Sequence, residues 1–187
     1  MLRWTESVAP GASFAVGRAE ALPFAAHSFD LLTAAGSLNY VSDLDAFFAE
    51  AARVLTPGGR LVVYDFNPGR SFGGSDALDR WFEAFSTAYP WPASEARPLD
   101  PDVLAGIAPT VGREAHENFR LPLTLTPEFY LNYMLTETNV AFAQRRGVPF
   151  EQIRAWCSET LAPVWQGSAR EVVFSGYWTR MAVRSVP

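Results

Sequence analysis

The stretch EAARVLTPGGRLVVYDF, from Glu50 to Phe66, constrains the fold more than any other part of the chain. Around its start Leu44, Phe47, Phe48, Ala51 and Leu55 recur at the spacing of a helix with one buried face. Ser42 and Asp45 stand where a capping box would begin it. Pro57-Gly58-Gly59 ends it, and an apolar β-branched run follows at once and delivers Asp65 to an edge. Upstream, Phe29 to Ala35 is read as a second continuous run, apolar but for Asp30 and Thr33. Unbroken apolarity, as opposed to alternation, predicts strands covered on both faces, as in a parallel sheet. Two such strands joined by a helix predict a right-handed βαβ unit. The expected class is α/β, with a largely parallel sheet, helices on both faces and an antiparallel closing strand.

The remaining segments fit around that unit. Ser13–Val16 reads as a further parallel strand, followed by a loop. NPGRSFGG (67–74) reads as a loop. SDALDRWFEAFSTAYPWP (75–92) reads as a helix with Leu78, Trp81, Phe82 and Phe85 on one side. Asp100-Pro101 is a helix start by the N-cap and N1 preferences. HENFRLPLTLT (116–126) reads as a strand. A long helix is expected from Pro127 to near Gly147, another over Pro149–Trp165, and a last strand or hairpin over 170–184. No repeat or low-complexity linker divides the sequence. A single domain is expected over 1–187, with a helical insertion at about 67–108 and helices at about 127–165 covering the substrate side.

A chain of 187 residues with about half of them hydrophobic can bury a sizeable core. The net charge of -5 argues against a nucleic-acid partner, because phosphate binding needs a basic surface. All 15 cationic side chains are arginine, a bias expected of a GC-rich bacterial genome. Cys157 is alone, which leaves no disulfide framework or zinc cluster. There is no signal-peptide pattern at the N-terminus and no apolar run of membrane-spanning length, so a soluble cytoplasmic chain with no membrane partner is expected.

Three segments, AEALPF, SFDLLTAAGSLNYVSD and EAARVLTPGGRLVVYDF, occur in this order at short spacings. With them the chain resembles class I S-adenosylmethionine-dependent methyltransferases of the type 11 kind, in detail from Met1 to about Asn67 and beyond that only in plan. The resemblance implies a Rossmann-like fold, S-adenosylmethionine as cofactor and a small-molecule substrate. It implies that the Ala19 N–H meets an adenine ring nitrogen. Residue 18 would face the exocyclic amine. Family members often carry Asp there; this chain has Arg18, which cannot accept a hydrogen bond, so either Glu20 substitutes or adenine recognition is weakened. Ala34 and Ala35 match positions that approach the methionine part of the cofactor. Leu38, Asn39 and Tyr40 match the wall of the methyl-donor site, with Tyr40 on the acceptor side.

The departures are as informative. In the family a glycine-rich loop and a ribose-binding acid precede the segment equivalent to the start of this sequence, and no G-x-G-x-G occurs here. Relative to the family the chain reads as N-terminally truncated. The expected consequences are weak or absent cofactor binding by this chain alone and an exposed edge at the FDLLTAA strand. That edge could be met by direct pairing with Ser13–Val16, by a second copy in a homodimer, or by the rest of a longer protein. The acceptor side is expected among Asp65, Trp81, Tyr89, Tyr130 and Tyr133, the four aromatic residues lining one cavity suited to an apolar or ring-bearing molecule. His27, His116, Asp65 and Glu128 are the candidate bases, and none of them earns a catalytic assignment. The function expected is a small-molecule methyltransferase. The alternative is an inactive methyltransferase-like module that works by association.

Overall fold

The structure, a computed structural model, describes residues 7, 9–94, 96, 97, 99, 104 and 110–183. Their elements are β1 (Phe29–Ala35), a 3-10 turn (Leu38–Tyr40), α1 (Leu44–Val54), β2 (Leu55–Phe72), α2 (Ala77–Ala88), β3 (Val111–Leu125), α3 (Pro127–Met134), α4 (Thr138–Arg145), α5 (Phe150–Trp165) and β4 (Arg170–Val183). The four strands form one open mixed sheet in the order β1-β2-β4-β3. The helix expected to open at Asp100-Pro101 lies outside the described residues.

Two compact units divide the chain. The first takes the described residues up to Tyr64, those within Ala96–Glu117 and those from Trp178 onward. In it β1 and β2 pair in parallel, from Leu31↔Arg60 to Ala35↔Tyr64, as the sequence predicts. Between Phe29↔Leu55 and Leu31↔Arg60 the pairing advances two residues on β1 but five on β2. The Pro57-Gly58-Gly59 segment takes up the excess as a bulge. Gly58, at φ +86°, sits there in the left-handed region that suits glycine. One sheet face, with Ala34, Leu61 and Val63, is buried with Leu44, Phe47, Phe48 and Ala51 of α1. The opposite row of β1 is open: Leu31 is 56 % exposed, and Thr33 and Ala35 are exposed too. The largely apolar run of β1 therefore does not mark a strand buried on both faces.

Two local expectations change in this unit. The cap of α1 is Asp43, whose side chain accepts from the Ala46 N–H at 2.9 Å. Ser42 instead donates its hydroxyl to Glu20 at 3.0 Å. Ser13–Val16 is not a strand. No neighbour pairs with it among the described residues, and Phe14 and Val16 are exposed.

The second unit takes Asp65–Glu95 and Asn118–Tyr177. Here β2 does not end at Asp65 but runs on through the expected loop to Phe72. Beside β4, a Cβ on Gly69 would stand 2.6 Å from Val172, and one on Gly176 would stand 2.5 Å from the Asp65 carbonyl oxygen. These crossed approaches show that β4 runs antiparallel to β2, the closing strand expected. The helix expected from Pro127 to Gly147 is broken between α3 and α4. There the Thr136 hydroxyl bonds the Tyr133 carbonyl at 2.7 Å, in competition with the helical ladder. Buried Asn139 then donates its side-chain amide to the Tyr89 carbonyl at 2.8 Å. The core of this unit is aromatic and fully buried at Tyr130, Phe85 and Trp165. Among the described residues no helix is long and apolar enough to cross a membrane.

Candidate functional site

The residues expected on the cofactor side all lie in the first unit. Arg18 to Ala21 form a tight turn closed by the Ala21 N–H on the Arg18 carbonyl at 3.1 Å. The turn is held from behind by α1. Glu50 and Arg53 form a two-pronged ion pair, both contacts at 2.7 Å. Arg53 donates onward to the carbonyls of Phe24 at 2.8 Å and Leu22 at 3.0 Å. Glu50 in turn accepts the Leu22 N–H at 2.9 Å. The hydrogen bonds from Arg53, with a further one from the Leu22 backbone, hold the Glu50 carboxyl down to about 2 against the cost of burial. This clip was not singled out in the sequence, although a Glu and an Arg three apart on a helix, as in EAARVL, are a readable signal.

The clip leaves chemistry free at the turn. The Ala19 N–H donates to no group among the described residues. Arg18 lies out in solvent, its side chain 75 % exposed and 3.6 Å from Glu20. Glu20 has its carboxyl held below the ordinary range, first by a backbone hydrogen bond and then by Ser42. It is therefore an ionised acceptor at neutral pH. Beyond β1, Gly36 donates to the Tyr64 carbonyl at 2.9 Å and the chain enters the 3-10 turn. Ala34 and Leu38 are buried, Asn39 is half-buried, and Ala35 and Tyr40 are exposed. The Asn39 carbonyl accepts from the Arg97 N–H at 2.9 Å.

The expected acceptor-side residues Asp65, Trp81, Tyr89, Tyr130 and Tyr133 belong to the second unit. The four aromatics come together, but as a packed core in place of the lining of one open cavity. Trp81 and Tyr130 are 6.2 Å apart, Tyr130 and Tyr133 also 6.2 Å. The polar heads of the two most buried are used internally. Trp81 donates to Thr160 at 2.8 Å, and Tyr130 to the Gly69 carbonyl at 2.7 Å. Burial raises the Tyr130 hydroxyl well above the usual phenol range. Tyr89 lines a cleft of about 520 Å³ with Pro90, Phe142, Arg146 and Gln152. The Asp65 carboxylate accepts the N–H of its neighbour Phe66 at 2.8 Å, in mid-strand and not at a strand end.

His27, His116 and Cys157 are also occupied or inert. The His27 ring bonds the Leu55 carbonyl at 2.9 Å, and His116 meets Thr179 at 3.0 Å. Glu128 lies on α3 beside a cleft of about 420 Å³. Burial pushes the Cys157 thiol up to about 12, so it is no nucleophile. Among the described residues no cluster of three metal-ligating side chains occurs.

Residues 1–63 match the type 11 methyltransferase domain family. Among the curated relatives are ubiquinone/menaquinone biosynthesis C-methyltransferases. That of Shewanella halifaxensis is 46 % identical over 55 residues, 29 % of this chain and 22 % of the relative. That of Dinoroseobacter shibae is 50 % identical over 58 residues, 29 % and 23 % of the two chains. The alignable part thus spans about a fifth of those relatives' length. Among solved structures, one described as a type II methyltransferase from Anaeromyxobacter dehalogenans superposes with a TM-score of 0.64 at 22 % identity. The superposition covers 93 % of this chain and 72 % of that one, and shows the shared fold. Residues 1–63 are therefore similar to the type 11 methyltransferase domain family, and the chain carries the Rossmann-like α/β fold of a solved methyltransferase.

Proposed function

We propose that the protein is an S-adenosylmethionine-dependent methyltransferase acting on a small apolar or ring-bearing molecule. The observation that carries this reading is the clipped turn at Arg18–Ala21. It offers one free N–H at Ala19 and one ionised acceptor at Glu20, the pair of groups an adenine edge requires. In this reading Glu20 takes the exocyclic amine that Arg18 cannot. Ala34, Ala35, Leu38 and Asn39 flank the methionine end, where small and buried side chains permit close approach. When bound, the cofactor supplies a methyl group on a positively charged sulfur. The protein's contribution is positioning, which governs an in-line displacement. Tyr40, Asp65, Trp81, Tyr89, Tyr130 and Tyr133 are assigned to the acceptor side, the buried ones as its structural support. The quinone-biosynthesis names of the relatives favour a ring-bearing acceptor.

Titration calorimetry with S-adenosylmethionine tests this. Saturable binding is expected, but weak, because the sequence has no G-x-G-x-G loop. Two charge-assisted hydrogen bonds at roughly 1.5–3 kcal/mol each amount to about a hundredfold or more. Arg53→Ala, which releases the turn, should abolish binding while leaving the chain folded. No saturable binding at all would defeat the reading of this chain by itself as an enzyme. It would leave the second reading, a module that works by association in the cytoplasm. One observation favours that alternative: the open row of Leu31, Thr33 and Ala35, with Tyr64 37 % exposed on the neighbouring strand. β1 is also the outer strand in the sheet order, an unpaired strand edge is a pairing surface, and sedimentation showing a homodimer would support this reading.

A further inference from the structure

Arg70 lies in β2, wholly within the second unit. Its guanidinium carbon sits 3.8 Å from the centre of the Phe82 ring, so the head is stacked on an aromatic face. Its Nε is buried and has no hydrogen-bond partner. No acid stands within ion-pair distance among the described residues, although two carboxylates are nearby. Asp79 is engaged by the Ser71 hydroxyl at 2.7 Å. Glu137 exerts its field on the same neighbourhood without an ion pair, its carboxyl raised by burial while Arg70 pulls the other way. Tyr130 has committed its hydroxyl to the Gly69 carbonyl. The Tyr133 hydroxyl, by contrast, donates to no group among the described residues. The Phe82 ring under the head has the partly exposed Trp91 ring 6.4 Å away, and Arg70 is near enough to Tyr130 and Tyr133 to act electrostatically on both.

A half-buried cation without an ion pair, with one donor unsatisfied, burdens the folded state. Stacking on Phe82 offsets part of that burden but supplies no acceptor. The rigid planar fork of an arginine matches a carboxylate in two-pronged fashion. We propose that Arg70 is the recognition point for the carboxylate of a small aromatic acid, with the surrounding rings holding its ring and Tyr133 supplying a further donor. This deepens the reading of the second unit as the acceptor side and rests on it.

The test is a titration with 4-fluorobenzoate followed by fluorine NMR, with 4-fluorobenzyl alcohol as the uncharged control at the same ionic strength. The acid is expected to bind at least tenfold more tightly than the alcohol. Arg70→Met should bring the acid down to the alcohol's affinity, and Arg70→Lys should give an intermediate loss. The melting temperature of Arg70→Met should be no lower than that of the parent, because an unsatisfied donor has been removed. Equal affinity for acid and alcohol, or acid binding unchanged in either variant, overturns the proposal. An unfolded Arg70→Met overturns the stability argument and leaves Arg70→Lys to decide recognition. S-adenosylmethionine titration separates the two readings. Acid binding without cofactor binding defeats the methyltransferase reading alone, and cofactor binding without acid binding defeats this one alone.

Discussion

Glu50 does more for the first unit than its place on a helix surface suggests. Its carboxyl is held at about 2, against an ordinary value of 4.5, chiefly by the hydrogen bonds from Arg53. The folded value lies below the unfolded one, so lowering the pH protonates the unfolded chain first. The contribution is therefore complete above about 4.5 and is lost as the pH falls towards about 2. Glu50→Gln is expected to lower the melting temperature at neutral pH by no more than about 2–4 °C, since the pair is partly screened by solvent. The gap between parent and variant should close across that acidic window. A gap that persists at pH about 2 would mean that Glu50 acts through packing and not through charge.

At the scale of elements, the junction of β2 and β4 depends on glycine. A Cβ at Gly176 would lie 2.5 Å from the Asp65 carbonyl oxygen and 2.6 Å from Phe119. A backbone oxygen cannot step aside, so Gly176→Ala should cost about 1–3 kcal/mol. That corresponds to about 2–4 °C in melting temperature for each kcal/mol in a chain of this size, readable by calorimetry. A change within experimental error would show that the two strands can separate freely at this point. The same junction explains what the sequence hid. Helices α1, α2 and α5 were legible because each repeats apolar residues along one face. The outer half of β2 was not, because Asn67-Pro68-Gly69 has the chemistry of a turn. Only the antiparallel approach of β4, a partner more than a hundred residues away, makes it a strand. Ser13–Val16 failed in the opposite sense: its side chains suit a strand, but a strand needs a neighbour, and none pairs with it among the described residues.

Over the whole molecule, legibility follows the two units. The motifs that carry the resemblance lie within residues 19–66, nearly all inside the 1–63 span that matches the domain family. There the resemblance names the expected site residues, and Glu20 was already one of the two readings that Arg18 at an acceptor position left open. In the second unit the aromatic residues were visible as a concentration of large rings. Composition could not show that Trp81 and Tyr130 spend their polar heads on Thr160 and Gly69, or that Arg70 has no acid at ion-pair distance among the described residues. Those facts depend on which groups meet in three dimensions. One meeting has an optical consequence. The rings of Trp81 and Trp156 lie 6.2 Å apart, bridged by Phe85, which stacks on Trp81 at 5.2 Å with only 10° between planes. Two indoles so close share their excited states, and their transitions split into paired circular-dichroism bands of opposite sign. The native protein should show that couplet, and Trp156→Phe or urea should erase it. The second unit thus carries its own unlabelled reporter, through which its melting can be followed by light alone.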